Sequence, residues 1–247
     1  AGASVTALRQ GVDSIAQARM KGEAIITVGV LPTVAARIMP TAVQRFKKLG
    51  VETTVSLISG PNPFLLGRLR VGDLDLVVGR LAEPGLMAGL SFTYLYSEHV
   101  SFVVRPGHPL LARPSVDLTR IRDYTVLIPT KESIIRPTVD RLLIAHGLGA
   151  LPDRIETVSN AFGRVYIRET DAIWIISNGV VARDIADGTL VELPVENGDT
   201  VGPVGLTTRT DTPPSHAVEL FMASVREVAE SQRKAMPHAH YNQMVSH

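Results

Sequence analysis

The sequence predicts an α/β protein of two lobes, each built on a parallel sheet, with strands that cross from one lobe to the other. The element order β-α-β-α-β occurs twice along the 247 residues, and a long strand pattern separates the two copies. Strands that alternate with helices form parallel sheets through right-handed crossovers. The composition, 45% hydrophobic and 20% charged residues, is typical of a globular chain with room for two such units.

The first copy begins at Ile25 with IITVGV, whose β-branched residues predict a buried strand. Apolar residues then recur at helical spacing from Ala35 to Phe46 and predict one helix, which Gly50 ends. The remaining elements are a strand at residues 51–59, a short helix that Asn62 caps ahead of Pro63 and that Gly72 ends, and a strand at residues 74–79.

The second copy repeats this order from Thr125, where TVLIP predicts a strand. Apolar residues from Ile135 to Leu143 predict a helix with Pro137 in its first turn and Gly147 at its end. The remaining elements are a strand at residues 154–158, a helix that Ser159 or Asn160 caps and whose Phe162, Val165 and Tyr166 share one face, and a strand at residues 172–176.

Residues 94–105 lie between the copies and are long enough to cross between the lobes, and residues 204–209 can make the return crossing. A final amphipathic helix follows Pro213 and Pro214. The predicted organisation is the end of a longer helix at residues 1–21, lobe I at residues 22–103 and 206–232, lobe II at residues 104–205, and a flexible tail at residues 233–247.

Composition and motifs argue against several classes of protein. The 25 basic and 24 acidic residues leave a net charge of +1, which provides no general attraction to nucleic acid or membrane. The chain has no cysteine and no nucleophile elbow, zinc-protease or phosphate-loop motif, so we expect no enzyme, no cofactor and no metal site. Structural roles are favoured for the polar and aromatic groups Asp73, Asp75, Glu98, His99 and Trp174, and a metal role for the tail residues His238 and His240 is disfavoured.

Polar residues recur where strands of both copies end and helices begin. Helix N-termini offer free N–H groups and a positive dipole end, which bind anions, and ligands of open parallel sheets lie beyond the carboxyl ends of the strands. Two facing lobes therefore predict a cleft for a small carboxylate, although capping alone also explains such residues. The predicted ligand-binding residues are Pro32, Thr33, Asn62, Thr130, Ser133, Arg136 and Asn160, with Arg80 and Arg164 as weaker candidates.

Two motifs together resemble the effector-binding domain of LysR-type transcriptional regulators: VGDLDLVVGRL at 71–81 and RPGHPL at 105–110. Within that family, GVLPTVAARIMP at 29–40 and IETVSNAFGR at 155–164 are similar to activators of protocatechuate-catabolic (pca) operons. The resemblance implies a type 2 periplasmic-binding-protein fold, with two Rossmann-like lobes, and an allosteric role without catalysis. It also implies that residues 1–21 end a linker helix, with a winged helix-turn-helix missing before it.

The resemblance further implies an effector between the lobes, with Thr33, Asn62 and the loop at 129–136 as contacts. Regulators of this kind suggest β-carboxy-cis,cis-muconate as the effector, and Arg136 suits its additional carboxylate. It implies a cytoplasmic homo-oligomer, dimer or tetramer, that acts on promoter DNA and not on a membrane. A sugar or other effector, a periplasmic solute-binding protein and an enzyme on the same scaffold remain alternatives.

Overall fold

The computed structural model describes residues 24–112 and 116–235. The predicted linker-helix end at 1–21, the tail from residue 236 onwards and the pair His238 and His240 lie outside the described residues. The strands are β1 Ile25–Val30, β2 Thr54–Ser59, β3 Leu76–Arg80, β4 Leu90–Glu98, β5 Val100–Val104, β6 Val126–Ile128, β7 Arg154–Glu156, β8 Ile173–Ser177, β9 Val191–Glu192 and β10 Gly202–Arg209. The α-helices are α1 Pro32–Arg37, α2 Met39–Lys48, α3 Asn62–Arg70, α4 Arg136–Ala145, α5 Asn160–Glu169, α6 Asn178–Ala186 and α7 His216–Ala235.

The strands form two five-stranded sheets with matching topology. The first has the order β2-β1-β3-β10-β4 and the second the order β7-β6-β8-β5-β9. In each sheet the three strands of one sequence copy are parallel, and the next strand, β10 or β5, pairs antiparallel with them. The predicted two-lobed α/β fold is confirmed, with the addition that the crossing segments make both sheets mixed.

The chain leaves the first sheet at His99, which alone separates β4 from β5. It returns before Gly202, because the whole of β10 pairs within the first sheet. The sequence predicted the first crossing between the lobes after residue 103 and the return crossing before residue 206. Residues 94–105 were interpreted as one crossing strand, and a strand pattern does not show where the hydrogen-bonding partner changes. The predicted domain boundaries themselves stay predictions.

The single helix predicted from Ala35 to Phe46 is wrong, because the structure breaks it at Ile38 into α1 and α2. Pro40 lies in the first turn of α2, and a proline ring collides with the carbonyl four residues earlier, here that of Ala36. The break gives the two short helices separate partners, since α1 packs against α6 of the second lobe while α2 packs against α7.

Of the apolar face predicted on α5, Tyr166 packs against the core, but Phe162 and Val165 do not. Phe162 is 41% exposed and Val165 is 55% exposed, whereas Gly163 and Ile167 are buried. Gly163 lets the helix backbone approach the buried indole of Trp174, because a Cβ atom at this position would lie 2.6 Å from the ring. The predicted core role of Trp174 is confirmed, since it is 1% exposed.

His108, within the RPGHPL motif, holds the start of the second lobe together. Its Nε2 donates to the backbone oxygen of Asp171 over 3.0 Å, and its Nδ1 accepts the N–H of Leu110 over 3.1 Å. The ring is buried against Tyr124. Burial lowers the pKa of His108, and the contact with Leu110 requires the neutral imidazole, because Nδ1 must accept a hydrogen bond.

We expect Gly163→Ala to destabilise the fold by about 1–3 kcal/mol, because the added methyl group forces Trp174 or the helix to move. Chemical denaturation measures this change. Gly67→Ala in the middle of α3 is the matched control, since its Cβ atom would meet nothing within 4 Å. Its higher helix propensity should raise stability by up to about 1 kcal/mol. Equal effects of the two substitutions would contradict the proposed packing against Trp174.

We expect the free energy of unfolding to fall as the pH drops below about 6.5, the ordinary pKa of histidine. Because the pKa of His108 is lower in the folded state, the unfolded state binds more protons in this range, so stability is fully present above it and is lost below it. Denaturation midpoints across pH 5–8 test this. His108→Gln should flatten the decline, while His146→Gln, at an exposed histidine, should retain it.

Candidate functional site

The two lobes meet where helices follow the carboxyl ends of β1 and β8. The first turn of α1 packs against the first turn of α6, and the N–H of Asn178 donates to the backbone oxygen of His99 over 3.0 Å. Pro32 occupies the first turn of α1 and is exposed, whereas Thr33 beside it is buried. Thr33 therefore lies inside the seam between the lobes.

The hydroxyl of Thr33 is bonded to a carboxylate of the chain itself. It lies 2.7 Å and 2.6 Å from the two carboxylate oxygens of Glu98, whose side chain is 1% exposed. Gly179 of α6 packs directly against Thr33 and Glu98 and leaves no room for a side chain. A Cβ atom there would lie 2.2 Å from the Thr33 hydroxyl and 2.7 Å from the Glu98 carboxylate. The Glu98 carboxylate thus occupies the place at the start of α1 where the sequence predicted an anionic ligand.

Arg80 compensates the buried charge of Glu98. Its Nη2 donates to the backbone oxygen of Glu98 over 2.7 Å, its Nε lies 3.5 Å from the carboxylate, and both Nη atoms reach the backbone oxygen of Thr200. Burial lowers the pKa of Arg80, and the Glu98 carboxylate opposes that effect. Because Glu98 ends β4 and Thr200 precedes β10, the Arg80–Glu98 pair ties together both crossings between the lobes.

Asn62 does not cap α3 as the sequence predicted. Pro61 occupies the N-cap position with φ −59° and ψ 143°, and Asn62 is the first helical residue with Pro63 after it. The ring of Pro61 restricts its backbone to the extended conformation that an N-cap needs, which moves the cap one residue earlier. Asn62 is 4% exposed, and its Nδ2 donates to no atom of the described residues. A buried donor without a partner is costly and is therefore a candidate ligand contact.

The second-lobe loop at 129–136 is folded by its own hydrogen bonds. The N–H of Ser133 donates to Thr130 and the N–H of Arg136 donates to Ser133, each over 3.0 Å to the backbone oxygen. The backbone N–H of Glu132 and the Thr130 hydroxyl both bond the exposed Glu132 carboxylate and lower its pKa. A negative charge thus stands within the loop that was predicted to bind an anion.

Arg136 makes three contacts within its own lobe. Its Nε donates to Asp140 over 2.8 Å, and its Nη1 donates to the backbone oxygen of Pro129 over 2.8 Å and lies 3.4 Å from Glu156. The ion pair with Asp140, four residues further along α4, gives this arginine a structural role within its own lobe. Its Nη2 has no hydrogen-bond partner among the described residues, so the guanidinium keeps a donor edge.

Asn160 and Arg164 lie on α5. Ser159, not Asn160, caps this helix by accepting the N–H of Phe162 over 3.2 Å, which resolves the alternative left by the sequence. Arg164 donates to Asp184 over 2.9 Å and to the backbone oxygen of Val180, so it is engaged within the second lobe. Within the part of the chain that the structure describes, no hydrogen bond joins Asn62 or Asn160 to another predicted site residue.

Ile134 joins the loop at 129–136 to the first lobe. It packs against the core of the second lobe and also against the first-lobe cluster that contains Leu31, Ile58 and Leu65. The structural role predicted for Glu98 is confirmed, but sequence reasoning missed its partners, the position of Gly179 and the contact of Ile134, because an acid, a glycine or an isoleucine carries no signal of a partner remote in the chain. Asp73 and Asp75 take the structural roles predicted for them, since Asp73 pairs with Arg68 and Asp75 accepts the N–H of Thr27.

A family model described as the LysR substrate binding domain matches residues 22–230, and the chain belongs to this family. The HTH-type transcriptional regulator PcaQ of Agrobacterium fabrum is 56% identical over 229 residues, which cover 93% of this chain and 74% of that protein. The uncharacterized HTH-type transcriptional regulator YdcI of Escherichia coli is 34% identical over 203 residues, covering 82% and 66%. The resemblance stated from the motifs is confirmed, and since the family and these relatives are transcriptional regulators, so is the prediction that the chain is no enzyme.

Two solved structures show the same fold. The effector-binding domain of QuiR in complex with shikimate has a TM-score of 0.68 at 20% identity and covers 85% of this chain and 98% of that one. The cofactor-binding domain of the Cbl transcriptional regulator has a TM-score of 0.70 at 17% identity and covers 87% and 94%. At these identities the likeness concerns the fold alone.

Residues 24–112 and 116–235 contain neither a cluster of metal-ligating side chains nor a helix that could span a membrane. No three His, Cys, Asp or Glu side chains come together there in a way that could hold a metal ion. None of the helices in that part of the chain combines the length and the apolar character that a membrane span requires.

We expect Glu98→Gln to lower the free energy of unfolding by about 3–5 kcal/mol, because it leaves the buried Arg80 guanidinium without its counter-charge. Chemical denaturation at neutral pH measures the change. Glu230→Gln is the control, because Glu230 is exposed and pairs with the exposed Lys234, and it should change stability little. Unchanged stability of Glu98→Gln would show that the Arg80–Glu98 pair does not hold the seam.

Proposed function

We propose that this chain is the effector-sensing domain of a regulator of aromatic catabolism, which binds a small carboxylate between its lobes. The expected effector is β-carboxy-cis,cis-muconate, and the expected targets are pca genes of protocatechuate catabolism. The observation that carries the proposal is the 56% identity to the regulator PcaQ across 93% of the chain. The two-lobed fold with a polar seam is consistent with it.

Two groups support a carboxylate site on either side of the seam. On the first lobe, the buried Nδ2 of Asn62 has no partner among the described residues. On the second, the Nη2 of Arg136 is a charged donor without a partner there, and the guanidinium is already oriented by Asp140 and Pro129. Pro32, Thr130, Ser133 and Asn160 complete the proposed lining of the cleft.

Thr33 enters the proposal in a different way from the other residues. Its hydroxyl is donated to Glu98, so an effector carboxylate that bound Thr33 would have to replace Glu98 as acceptor. Glu132, Asp140 and Glu156 add negative charge near the loop, which the effector must overcome. Both facts favour Asn62 and Arg136 as the stronger contacts.

The effector would act by stabilising one arrangement of the lobes over another. A ligand shifts such an equilibrium only through its different affinities for the two states, and a change from 1:99 to 99:1 requires about 5.5 kcal/mol. Hydrogen bonds to charged groups contribute about 1.5–3 kcal/mol each, so two or three bonds made in only one arrangement suffice. Ile134 and the contact of α1 with α6 are the places where the lobes would move relative to each other.

The remaining parts of the proposal concern the whole regulator. A winged helix-turn-helix joined through a linker helix at 1–21 would read promoter DNA, and a cytoplasmic homo-oligomer would transmit the change of lobe geometry. Lobe I would comprise residues 22–103 and 206–232, lobe II residues 104–205, and the tail residues 233–247. In the proposed pairing, the helix region 35–46 of one protomer packs against the region 137–146 of another.

Titration calorimetry of the chain with β-carboxy-cis,cis-muconate tests the site. We expect Asn62→Ala and Arg136→Ala each to weaken binding by about tenfold or more, because each removes a donor from the effector. Arg154→Ala is the matched control, since Arg154 also pairs with Glu156 and is not a predicted contact. Thermal unfolding provides a second readout, because a ligand at 100 times its Kd stabilises the fold by about 2.7 kcal/mol.

Two further outcomes separate the proposal from its alternatives. Galactose binding without muconate binding would assign the domain to a sugar effector. Equal muconate affinity in the parent, Asn62→Ala and Arg136→Ala would remove the site assignment while leaving the family membership untouched.

A further inference from the structure

A groove of about 290 Å³ lies along the seam between the lobes, beside the contact of α1 with α6. Its apolar lining comes from both lobes, since Ala36 and Pro40 belong to the first lobe and Ala182 to the second. The short side chains of the two alanines leave space for a larger group. None of the proposed effector contacts lines this groove, so it is a different surface from the effector cleft.

Two arginines also line the groove, and they differ in how they can contact an occupant. Arg37 is engaged by the amide oxygen of Gln232 over 3.1 Å and by that of Asn178 over 3.4 Å, so it is part of the wall and is assigned no bond to an occupant. Arg183 lies on α6 and is exposed. A guanidinium beside an apolar wall is suited to stack on an aromatic ring that enters the groove.

The last helix delivers the chain to this groove. Gln232, in the last turn of α7, lines the groove, and the helix reaches Ala235 three residues later. Residues 236–247, with the sequence MPHAHYNQMVSH, follow and lie outside the described residues. An extended chain spans at most about 3.3–3.6 Å per residue, so a segment of this length has a reach of about 40 Å. It therefore begins beside the groove and is long enough to enter it.

We propose that residues 236–247 occupy this groove, with the ring of Tyr241 between Ala36 and Ala182. Tyr241 has the largest apolar side chain of the segment, and aromatic rings dominate the energetics of such contacts. Its ring would also stack on the Arg183 guanidinium. The segment contains no lysine or arginine, so it brings no further fixed positive charge to a groove that already holds two guanidinium groups.

A segment in this position would hold the two lobes together, because the walls of the groove belong to both of them. It would stabilise the arrangement in which α1 and α6 are in contact over any arrangement that separates these helices. The proposal requires no effector and does not depend on which molecule the effector is, so it stands apart from the proposed function.

Disulfide formation in the full chain of 247 residues tests the proposal, because the sequence contains no cysteine of its own. Asn242→Cys leaves the neighbouring Tyr241 in place and is combined with Ala182→Cys on the groove wall. We expect the effective concentration of the two thiols, measured in a glutathione redox buffer, to be at least about tenfold higher than in the matched pair of Asn242→Cys with Ala145→Cys. Ala145 is an exposed alanine at the end of α4 that does not line the groove.

A second comparison separates docking from mere proximity of the segment to α6. Tyr241→Ala, added to the pair at 182 and 242, should lower the effective concentration about fivefold or more, because it removes the aromatic anchor. Arg183→Ala in the same background should lower it about two- to fivefold, because the ring loses its cation–π contact. A segment that only passes near the groove would respond to neither substitution.

Three results would overturn the proposal. The first is an equal effective concentration in the pairs that use Ala182→Cys and Ala145→Cys, and the second is an unchanged value after Tyr241→Ala. The third is a disulfide that joins two chains, seen as a doubled mass, which would assign the groove to a segment of a second copy. Ala36→Cys with Asn242→Cys repeats the test from the first-lobe wall, so a disturbance of α6 by Ala182→Cys does not leave the question open.

Discussion

The arrangement of the two lobes depends on one buried carboxylate. Glu98 stands at the last position of β4, one residue before the chain enters the second sheet, and is enclosed by the Thr33 hydroxyl, the Arg80 guanidinium and Gly179. Removing such a charge from water is costly unless every partner is in place. The start of α1, the end of β3 and the start of α6 are therefore held at fixed distances from one another.

The matching topology of the two sheets explains why this single point is so constrained. Each sheet contributes three parallel strands from its own sequence copy and receives antiparallel strands from the crossing segments. Glu98 lies at one crossing, and Thr200, which accepts from Arg80, lies just before the other strand re-enters the first sheet. A relative movement of the lobes must turn about these two crossings, so a ligand near them is well placed to bias it.

The polar groups near the seam divide into those satisfied by the chain and those left with unused donors. Thr33 and Arg164 have partners of their own, Glu98 and Asp184. Asn62 retains its Nδ2 and Arg136 its Nη2 without a hydrogen-bond partner among the described residues, one in each lobe. This difference depends on contacts in the folded chain and not on residue type.

The amino-acid sequence by itself determined the element order, the repeat, the two-lobed class and the family, because apolar periodicity and glycine placement act within a few residues. The positive φ of Gly50 and Gly147, for example, follows from their place at helix ends. Tertiary structure alone decided the break of the first helix at Ile38, the change of sheet at His99 and the exposure of Phe162. It also decided that the anion-binding position at Thr33 belongs to Glu98, 65 residues away. Such pairings depend on distances between segments remote in the chain, and no local pattern of residues records them.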